Sequence, residues 1–237
     1  MADTNLNELV DTSSIVIKGT LESLGSSLTN EVPASEDLAV LRVDATLVAA
    51  PALGELTGTQ IMILLSKSEK RAVGDQAIFF ANPWIYASHL AVIEVGRVES
   101  QREAEVSAAI AKRPDRTLAA HLDTVELVIA GTVEKVEDAD IVEPISEHAP
   151  EWKKATVHID SVERGKHTGK RVELLFPSSD EPLFETAPKL QEGQEGVFLL
   201  HRGEGPFAPP DALTVIHPHD VQPRAALSLT RELLKSK

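Results

Sequence analysis

The amino-acid sequence contains two copies of one pattern. Residues 9–24 read LVDTSSIVIKGTLESL, and residues 121–136 read HLDTVELVIAGTVEKV. The correspondence continues downstream, where TGTQIMILL (57–65) is matched by TGKRVELLF (168–176). A period close to half of the chain indicates one domain that has been duplicated, and not a solenoid of short repeats.

Each copy contains five short segments of strand character, separated by turn residues. In the first copy they are 14–24, 38–48, 59–65, 76–81 and 90–95, and in the second copy 125–136, 155–165, 170–176, 195–201 and 212–217. Gly19 and Gly131 interrupt the first segment of each copy, and a glycine inside a strand indicates a bulge or a sharp bend. A bent first strand allows a small barrel to close, because that strand must pair with a neighbour on each side.

A helix-forming stretch follows the strands in each copy. Residues 98–113 are rich in helix formers and are followed by Pro114, and residues 224–237 follow Pro223. The pattern therefore predicts a mainly β protein with two tandem five-stranded barrels, each followed by an α-helix.

The repeat also predicts the domain boundaries. We expect a flexible N-terminus over 1–8, the first barrel with its helix over 9–113, a linker over 114–120 and the second barrel with its helix over 121–237. Because the linker is short, the two domains are expected to touch.

These segments resemble a known family of barrels. IVIKGTLESL, LVIAGTVEKV, VHIDSVERGKHTGKRVEL and LQEGQEGVFLLH are similar to strands of the OB (oligonucleotide/oligosaccharide-binding) fold, and the terminal helix resembles the netrin-like variant found in tissue inhibitors of metalloproteinases. That family uses cysteines, including an N-terminal one that engages the metal of the target enzyme, whereas this chain has none. The resemblance therefore implies only the scaffold.

Composition narrows the classes of partner. The net charge is −14, and both halves of the chain carry an excess of acidic residues. An acidic surface repels phosphate backbones, so nucleic acid is an unlikely partner. The N-terminal residues lack the basic and apolar regions of a signal peptide, and no stretch has the length of a membrane span. We therefore expect a soluble, cytoplasmic protein.

The sequence offers no recognisable catalytic constellation. The chain has no cysteine, and it contains neither the G-x-S-x-G elbow of Ser-His-Asp hydrolases nor a Walker or dinucleotide-binding loop. We therefore predict no catalytic residues and no cofactor.

One local cluster has the composition of a metal site. His217, His219 and Asp220 lie at the end of the last strand segment of the second copy. Alternate residues of a strand point to the same side, so the two imidazoles could bind a divalent transition metal such as zinc, with Asp220 as the third ligand. The alternative interpretation is a polar strand exit with Asp220 in a turn.

Partner contacts are predicted in the loops that differ between the copies. Trp84, Tyr86 and Phe207 lie in the loops between the fourth and fifth strands, and aromatic residues are favoured anchors of interfaces. Leu183 and Phe184 lie in a loop over 177–194 that the first copy lacks. Alternatively, Trp84 packs inward and closes the barrel, and the 177–194 loop covers the barrel end.

Together these observations predict a non-enzymatic protein-binding or structural module, such as a subunit of a larger homo- or hetero-oligomeric assembly. The first alternative is a ligand-binding or metal-binding protein, or a metal-dependent enzyme, that uses the run from His217 to Asp220. The second alternative is oligonucleotide or glycan binding on an OB face.

Overall fold

Each half of the chain folds into a closed β-barrel. The structure is a computed structural model that describes residues 5–66, 71–86, 88–139, 150–179, 182–203 and 208–236, the side chain of residue 86 excepted. It divides into two units, Met1–Pro114 and Asp115–Lys237, each described here by itself. Within these described ranges, no helix has the length and apolar character needed to cross a membrane.

The elements of the first unit are α1 (Leu6–Thr12), β1 (Ile15–Leu24), β2 (Leu38–Val48), β3 (Gln60–Leu64), β4 (Gln76–Tyr86), β5 (Leu90–Glu99) and α2 (Glu103–Ala111). Its strands form a closed barrel in the order β1-β2-β3-β5-β4. β4 returns to pair with β1, and β3 and β5 are the parallel neighbours. Both features are consistent with an OB-like barrel.

The elements of the second unit are α3 (Arg113–Leu122, which begins before the division), β6 (Leu127–Asp138), β7 (Trp152–Arg164), β8 (Arg171–Pro177), β9 (Glu195–Arg202), β10 (Leu213–Thr214), β11 (Val221–Pro223) and α4 (Leu227–Lys235). The order is β10-β8-β7-β6-β9-β11, and a further pairing between β10 and β9 closes the ring. β8 and β10 are parallel, as β3 and β5 are in the first barrel. The predicted fold class, a mainly β protein with two five-stranded barrels, is confirmed.

Alternating side chains separate the inside of each barrel from its outside. The interior of the first barrel contains Ile15, Ile17, Phe79 and Val92, among other buried aliphatic residues. The interior of the second barrel has the same character, with Leu127, Ile129, Phe198 and Val215 among its members. Buried aliphatic and aromatic area of this kind is the dominant favourable term in folding.

Helices cover part of the outside of each barrel. α1 and α2 pack on outward-facing residues of the first barrel in a cluster that includes Leu9, Val16, Phe80 and Val106. α3 and α4 pack in the same way on the second barrel, in a cluster that includes Leu118, Leu122, Val128, Leu199 and Leu233. The repeating unit is therefore a helix, a barrel and a second helix.

Three boundaries differ from the sequence-based expectation. Within the N-terminus expected to be flexible, residues from Leu6 onward belong to α1, because Leu9 and Val10 are buried against the barrel. The expected linker, 114–120, is helical and belongs to α3, and the division at Pro114–Asp115 falls inside it. The last strand of the second copy, expected over 212–217, is split into β10 and β11.

The glycine in the first strand of each barrel is required by the close approach of the second strand. A Cβ atom on Gly131 would lie 2.1 Å from the carbonyl oxygen of His158, and one on Gly19 would lie 2.7 Å from that of Arg42. Both distances are shorter than any ordinary contact with a backbone atom. The pairing with the second strand also shifts register at this point in each barrel, as expected for a bulge that bends the strand.

We expect Gly131→Ala to destabilise the second barrel by about 2 kcal/mol or more, because the methyl group forces two paired strands apart. Urea unfolding followed by circular dichroism measures this loss. The control is Gly169→Ala, at an exposed turn residue whose added Cβ would first meet the side chain of His167 at 3.0 Å. Equal stability of the two variants would contradict the steric role of Gly131.

Candidate functional site

The predicted partner-contact residues occupy different environments. Trp84 lies in β4 with 44% of its surface exposed, and Leu183 is 63% exposed. Phe184 is fully buried, unlike its neighbour Leu183. Tyr86 is the last residue of β4, and its side chain and Phe207 lie outside the described part of the structure.

Two other apolar residues are exposed close to Trp84 along the sheet. Ile93 and Val95 of β5 are 40% and 38% exposed. Ile93 pairs with Asn82, which stands two residues before Trp84 in β4. We call Trp84, Ile93 and Val95 the apolar strip of the first barrel.

The face on which OB barrels bind their ligands is covered in the first barrel. That face is formed by the second and third strands, and it is bordered by the loop between the first two strands and the loop between the fourth and fifth strands. Here the loop places Leu28 and Val32 against Leu38, Met62 and Ala91. The loop thus packs on the outside of the strands where an oligonucleotide or a glycan would otherwise stack.

One end of the first barrel holds a buried ion pair. Glu94 of β5 is 7% exposed, and its Oε2 lies 2.7 Å from Nη2 of Arg71. The backbone N–H of Ser66 donates to the same oxygen at 2.7 Å. Because the carboxylate joins β5 to the segment that follows β3, we interpret it as a structural contact.

The second barrel gathers histidines around one buried carboxylate. Asp220 is fully buried, and His121 of α3 and His201 of β9 both contact it. His217 and His219 precede it in the chain and lie at the more exposed side of the group. We call these five residues the His–Asp cluster.

Asp220 accepts four hydrogen bonds. Its Oδ1 lies 2.6 Å from Nε2 of His121 and 2.9 Å from Nε2 of His201. Its Oδ2 accepts from the backbone N–H groups of Ile216 and His217, each at 2.7 Å. Both oxygens are thus used, and the carboxylate joins α3, β9 and the segment that connects β10 to β11.

These contacts keep Asp220 ionised. Burial alone would raise the pKa of Asp220, but hydrogen bonds from His121, His201 and Ile216 outweigh it and lower the pKa from 3.8 to about 2. An ionised Oδ1 can only accept, so both Nε2 atoms carry a proton and donate it. In a neutral imidazole this arrangement leaves the lone pair on Nδ1 of His121 and of His201.

The remaining two histidines lie beside His121. The ring centres of His121 and His217 are 4.2 Å apart with 25° between the planes, and those of His217 and His219 are 5.2 Å apart. Burial and the neighbouring ring of His121 lower the pKa of His217, which favours its neutral form at neutral pH. The backbone N–H of His219 donates to the ring atom Nδ1 of His217 at 3.2 Å.

Strand pairing identifies the counterparts of these residues in the first barrel. His121 corresponds to Leu9 in the repeated sequence. Gly19 pairs with Ala77 and Gly131 pairs with Gly196, so Ala77 and Gly196 are equivalent positions of the fourth strands. Asn82 and His201 follow these positions at the same spacing and are therefore counterparts. Phe79 and Phe198 also correspond, and they pair with Arg97 and Val221. The residues that precede Arg97 and Val221 in the chain, Gly96 and Asp220, are therefore counterparts.

In the first barrel these counterparts make a helix contact without any ionisable side chain. Leu9 lies directly on Gly96, where an added Cβ would stand 2.7 Å from Cδ2 of Leu9. Asn82 fixes the end of α1 by accepting from the N–H of Ser14 and donating to the carbonyl of Thr12. The second barrel has His121 on Asp220 at the same place, with His201 in the position of Asn82.

The second barrel also contains a longer segment at this point. In the first barrel, two residues separate Ile93 from Gly96, and the pairing with β4 shifts register there. In the second barrel, five residues separate Thr214 from Asp220, including His217 and His219. This three-residue insertion at a bulge splits the predicted strand 212–217 and brings two histidines to the cluster. Bulges are common next to functional sites because they redirect side chains.

Part of the cluster was predicted from the local run of His217, His219 and Asp220. The sequence-based hypothesis missed His121 and His201, which are 99 and 19 residues away from Asp220. One signal was present, because the repeat aligns His121 with the apolar Leu9. A polar residue at a position that is apolar in the other copy is the mark that could have identified it.

The metal-free protein should depend on Asp220 for stability in a pH-dependent way. The pKa of Asp220 is about 2 in the folded protein, below the ordinary value of 3.8 that applies to the unfolded chain. Its ionisation therefore adds roughly 2 kcal/mol to the free energy of unfolding above about pH 4, and this contribution is lost as the pH falls towards 2. Asp220→Asn should lower the free energy of unfolding at pH 7 by about 3 kcal/mol, since it weakens a buried ionic network.

Urea unfolding at several pH values, with a chelator present, measures this difference. The difference in the free energy of unfolding between wild type and Asp220→Asn should become smaller between pH 4 and pH 2. The control is Asp211→Asn, which changes an exposed carboxylate of the same barrel and should leave stability nearly unchanged. A gap that stays constant down to pH 2 would contradict the assigned ionisation.

The fold and the geometry of the cluster are therefore the basis for any statement about function. Comparison of the chain with protein-family models and with curated proteins finds no match. The features of the described residues that bear on function are the apolar strip of the first barrel and the His–Asp cluster of the second.

Proposed function

We propose that this protein is a non-enzymatic binding protein that docks a partner protein on the first barrel. The observation that carries the proposal is the apolar strip formed by Trp84, Ile93 and Val95, each between 38% and 44% exposed. Many other outward-facing apolar residues of this barrel are covered, by α1 and α2 on one side and by the loop after β1 on another, whereas Leu24 and Val73 are exposed singly at a strand end and in a turn. The strip is the part of this surface left open on β4 and β5.

The composition of the strip suits an interface. Tryptophan buries a large area with few rotatable bonds and is enriched among residues that dominate binding energy. Ile93 and Val95 are β-branched and held in a strand, so they lose little side-chain freedom on binding. A partner that covers the strip would remove apolar surface from water at low entropic cost.

The charge of the chain defines the chemistry of the partner. With a net charge of −14, the protein attracts basic surfaces at long range and repels acidic ones. We therefore propose a partner protein that presents an apolar patch with basic residues around it. The same charge does not favour nucleic acid as a partner.

The OB-like scaffold fits a binding role, but the family resemblance adds nothing more specific. The netrin-like feature that engages a protease metal is an N-terminal cysteine, and this chain has no cysteine. The proposal therefore depends on the surface of this chain and takes only the architecture from the resemblance.

A photo-crosslinking amino acid at position 84 tests the proposal, with position 73 as the control. Val73 belongs to the same barrel, lies in the turn before β4 and is 62% exposed. A protein crosslinked from position 84 but not from position 73 would then be identified by mass spectrometry, purified and assayed for direct binding. No selective crosslink would contradict the proposal.

In that assay we expect Trp84→Ala to weaken binding by about 30-fold, equivalent to about 2 kcal/mol, as for an interface anchor. Val73→Ala should leave the affinity unchanged. The melting temperature of Trp84→Ala should stay close to that of wild type, because nearly half of the side chain is already exposed. Loss of folding in Trp84→Ala would assign Trp84 a structural role, and equal loss of binding in both variants would contradict a specific contact at Trp84.

A further inference from the structure

The geometry of the His–Asp cluster points to a site for a divalent transition metal of the zinc type, and we propose that His121, His217 and His219 bind it, with Asp220 orienting His121. This inference is independent of the partner proposed for the first barrel. It replaces the sequence-based ligand set of His217, His219 and Asp220 by adding His121 and giving Asp220 a different role.

The first argument is the proximity of the ligand atoms. One ring nitrogen of His121, one of His217 and a carboxylate oxygen of Asp220 all lie within 4.8 Å of one another. Among the described residues, this is the one group of histidines and acids that meets that condition, and His219 is not a member of it. His219 joins the proposed site through its ring, whose centre lies 5.2 Å from that of His217. Imidazole nitrogen is a preferred ligand of zinc and of its neighbours in the first transition row.

The second argument is the spacing of the rings. Zn–N bonds of about 2.1 Å place the centres of three imidazoles on one tetrahedral ion roughly 5 Å apart. The rings of His121, His217 and His219 have centre-to-centre distances of 4.2, 5.2 and 6.2 Å. The group therefore has the right size for one ion, although the stacked pair must turn for its lone pairs to converge.

The exposed position of His217 makes this turn possible. The side chains of His121 and Asp220 are 10% and 0% exposed, and their hydrogen bond fixes the buried half of the site. His217 and Pro218 are exposed and lie in the inserted segment. An ion would reach the site from this side, and the ring of His217 would rotate to meet it.

The third argument is the hydrogen bond between His121 and Asp220. A histidine that binds a metal commonly donates its other ring N–H to a carboxylate, which fixes the tautomer and makes the ring a stronger ligand. Here Nε2 of His121 donates to Asp220, so Nδ1 is the atom that would face the ion. Asp220 already accepts four hydrogen bonds, which suits this orienting role better than direct coordination.

The fourth argument is the comparison between the two barrels. Leu9, Gly96 and Asn82 fulfil the architectural role at this place in the first barrel, and its connection is three residues shorter. The fold is therefore stable without ionisable groups here. The second barrel has His121, His201 and Asp220 at the equivalent positions and His217 and His219 in the longer segment, so all the groups that differ are ones that can bind a metal or orient its ligands.

Three histidine ligands define the chemical class of the site. Three protein ligands on zinc leave a fourth position for water or for an exogenous group. Ligand nitrogens must be unprotonated to bind, so metal affinity falls as the pH drops below neutrality.

Isothermal titration of the full, tag-free chain with Zn²⁺ at pH 7.5 tests the inference, and native mass spectrometry gives the stoichiometry. We expect one ion per chain with a micromolar or tighter Kd. Co²⁺ in place of Zn²⁺ should give the visible absorption bands of a tetrahedral site. Failure to bind one equivalent in the wild-type chain would overturn the proposal.

His217→Ala is the main variant, because His217 is exposed and its removal leaves the hydrogen bonds of Asp220 from His121 and His201 in place. It should weaken Zn²⁺ binding at least tenfold without changing the circular dichroism spectrum, and His219→Ala should also weaken binding. The matched control is His158→Ala. His158 belongs to β7 of the same barrel and lies beside Glu134, outside the His–Asp cluster. Equal affinity of His217→Ala and wild type, or an equal loss in His158→Ala, would overturn the proposal.

Discussion

Closure of each barrel depends on one strand that pairs along both of its edges. β1 and β6 each contact the strand that follows them and the fourth strand of their barrel. Such a strand must curve sharply, and the second strand then comes very close to its backbone. A Cβ added to Gly131 or Gly19 would lie only 2.1 or 2.7 Å from a carbonyl oxygen of that second strand. Since any larger residue would separate the strands, the glycine is a condition for the ring, and the ring determines where every outward-facing residue lies.

The same constraint explains why the two copies can differ without losing the fold. Interior residues are apolar in both barrels, and the helices cover equivalent outer surfaces. The fifth strand of the second barrel, by contrast, is split into β10 and β11, and the chain is longer there while β6, β7 and β8 remain paired. The insertion that contains His217 and His219 occurs at this point.

The sequence was sufficient to predict the architecture because the relevant signals are local and occur twice. Alternating apolar residues, turn glycines and the bent first strand all lie within short segments, and each is present in both copies. The helical start at Leu6 was missed because its stability comes from packing of Leu9 and Val10 on the barrel, a contact that no local pattern reveals.

The site was only half predictable for a related reason. His217, His219 and Asp220 are neighbours in the chain, but His121 and His201 reach Asp220 only after the barrel has closed and α3 has packed on it. The burial of Phe184 was likewise one of two alternatives left open, because a loop sequence does not reveal whether its aromatic residue turns inward or outward. Comparison of the two copies at matched positions restores part of this long-range information.

The energetics of Asp220 bear on the metal site that we propose in the second barrel. A buried carboxylate loses its hydration, and hydrogen bonds from its partners only offset that loss, so replacing such a network by apolar groups is often neutral or stabilising. Leu9 on Gly96 is such an apolar replacement, present at the equivalent place in the same chain. Stability alone therefore gives no reason for the His–Asp cluster, whereas a metal ligand whose tautomer must be fixed does require a buried acceptor behind it.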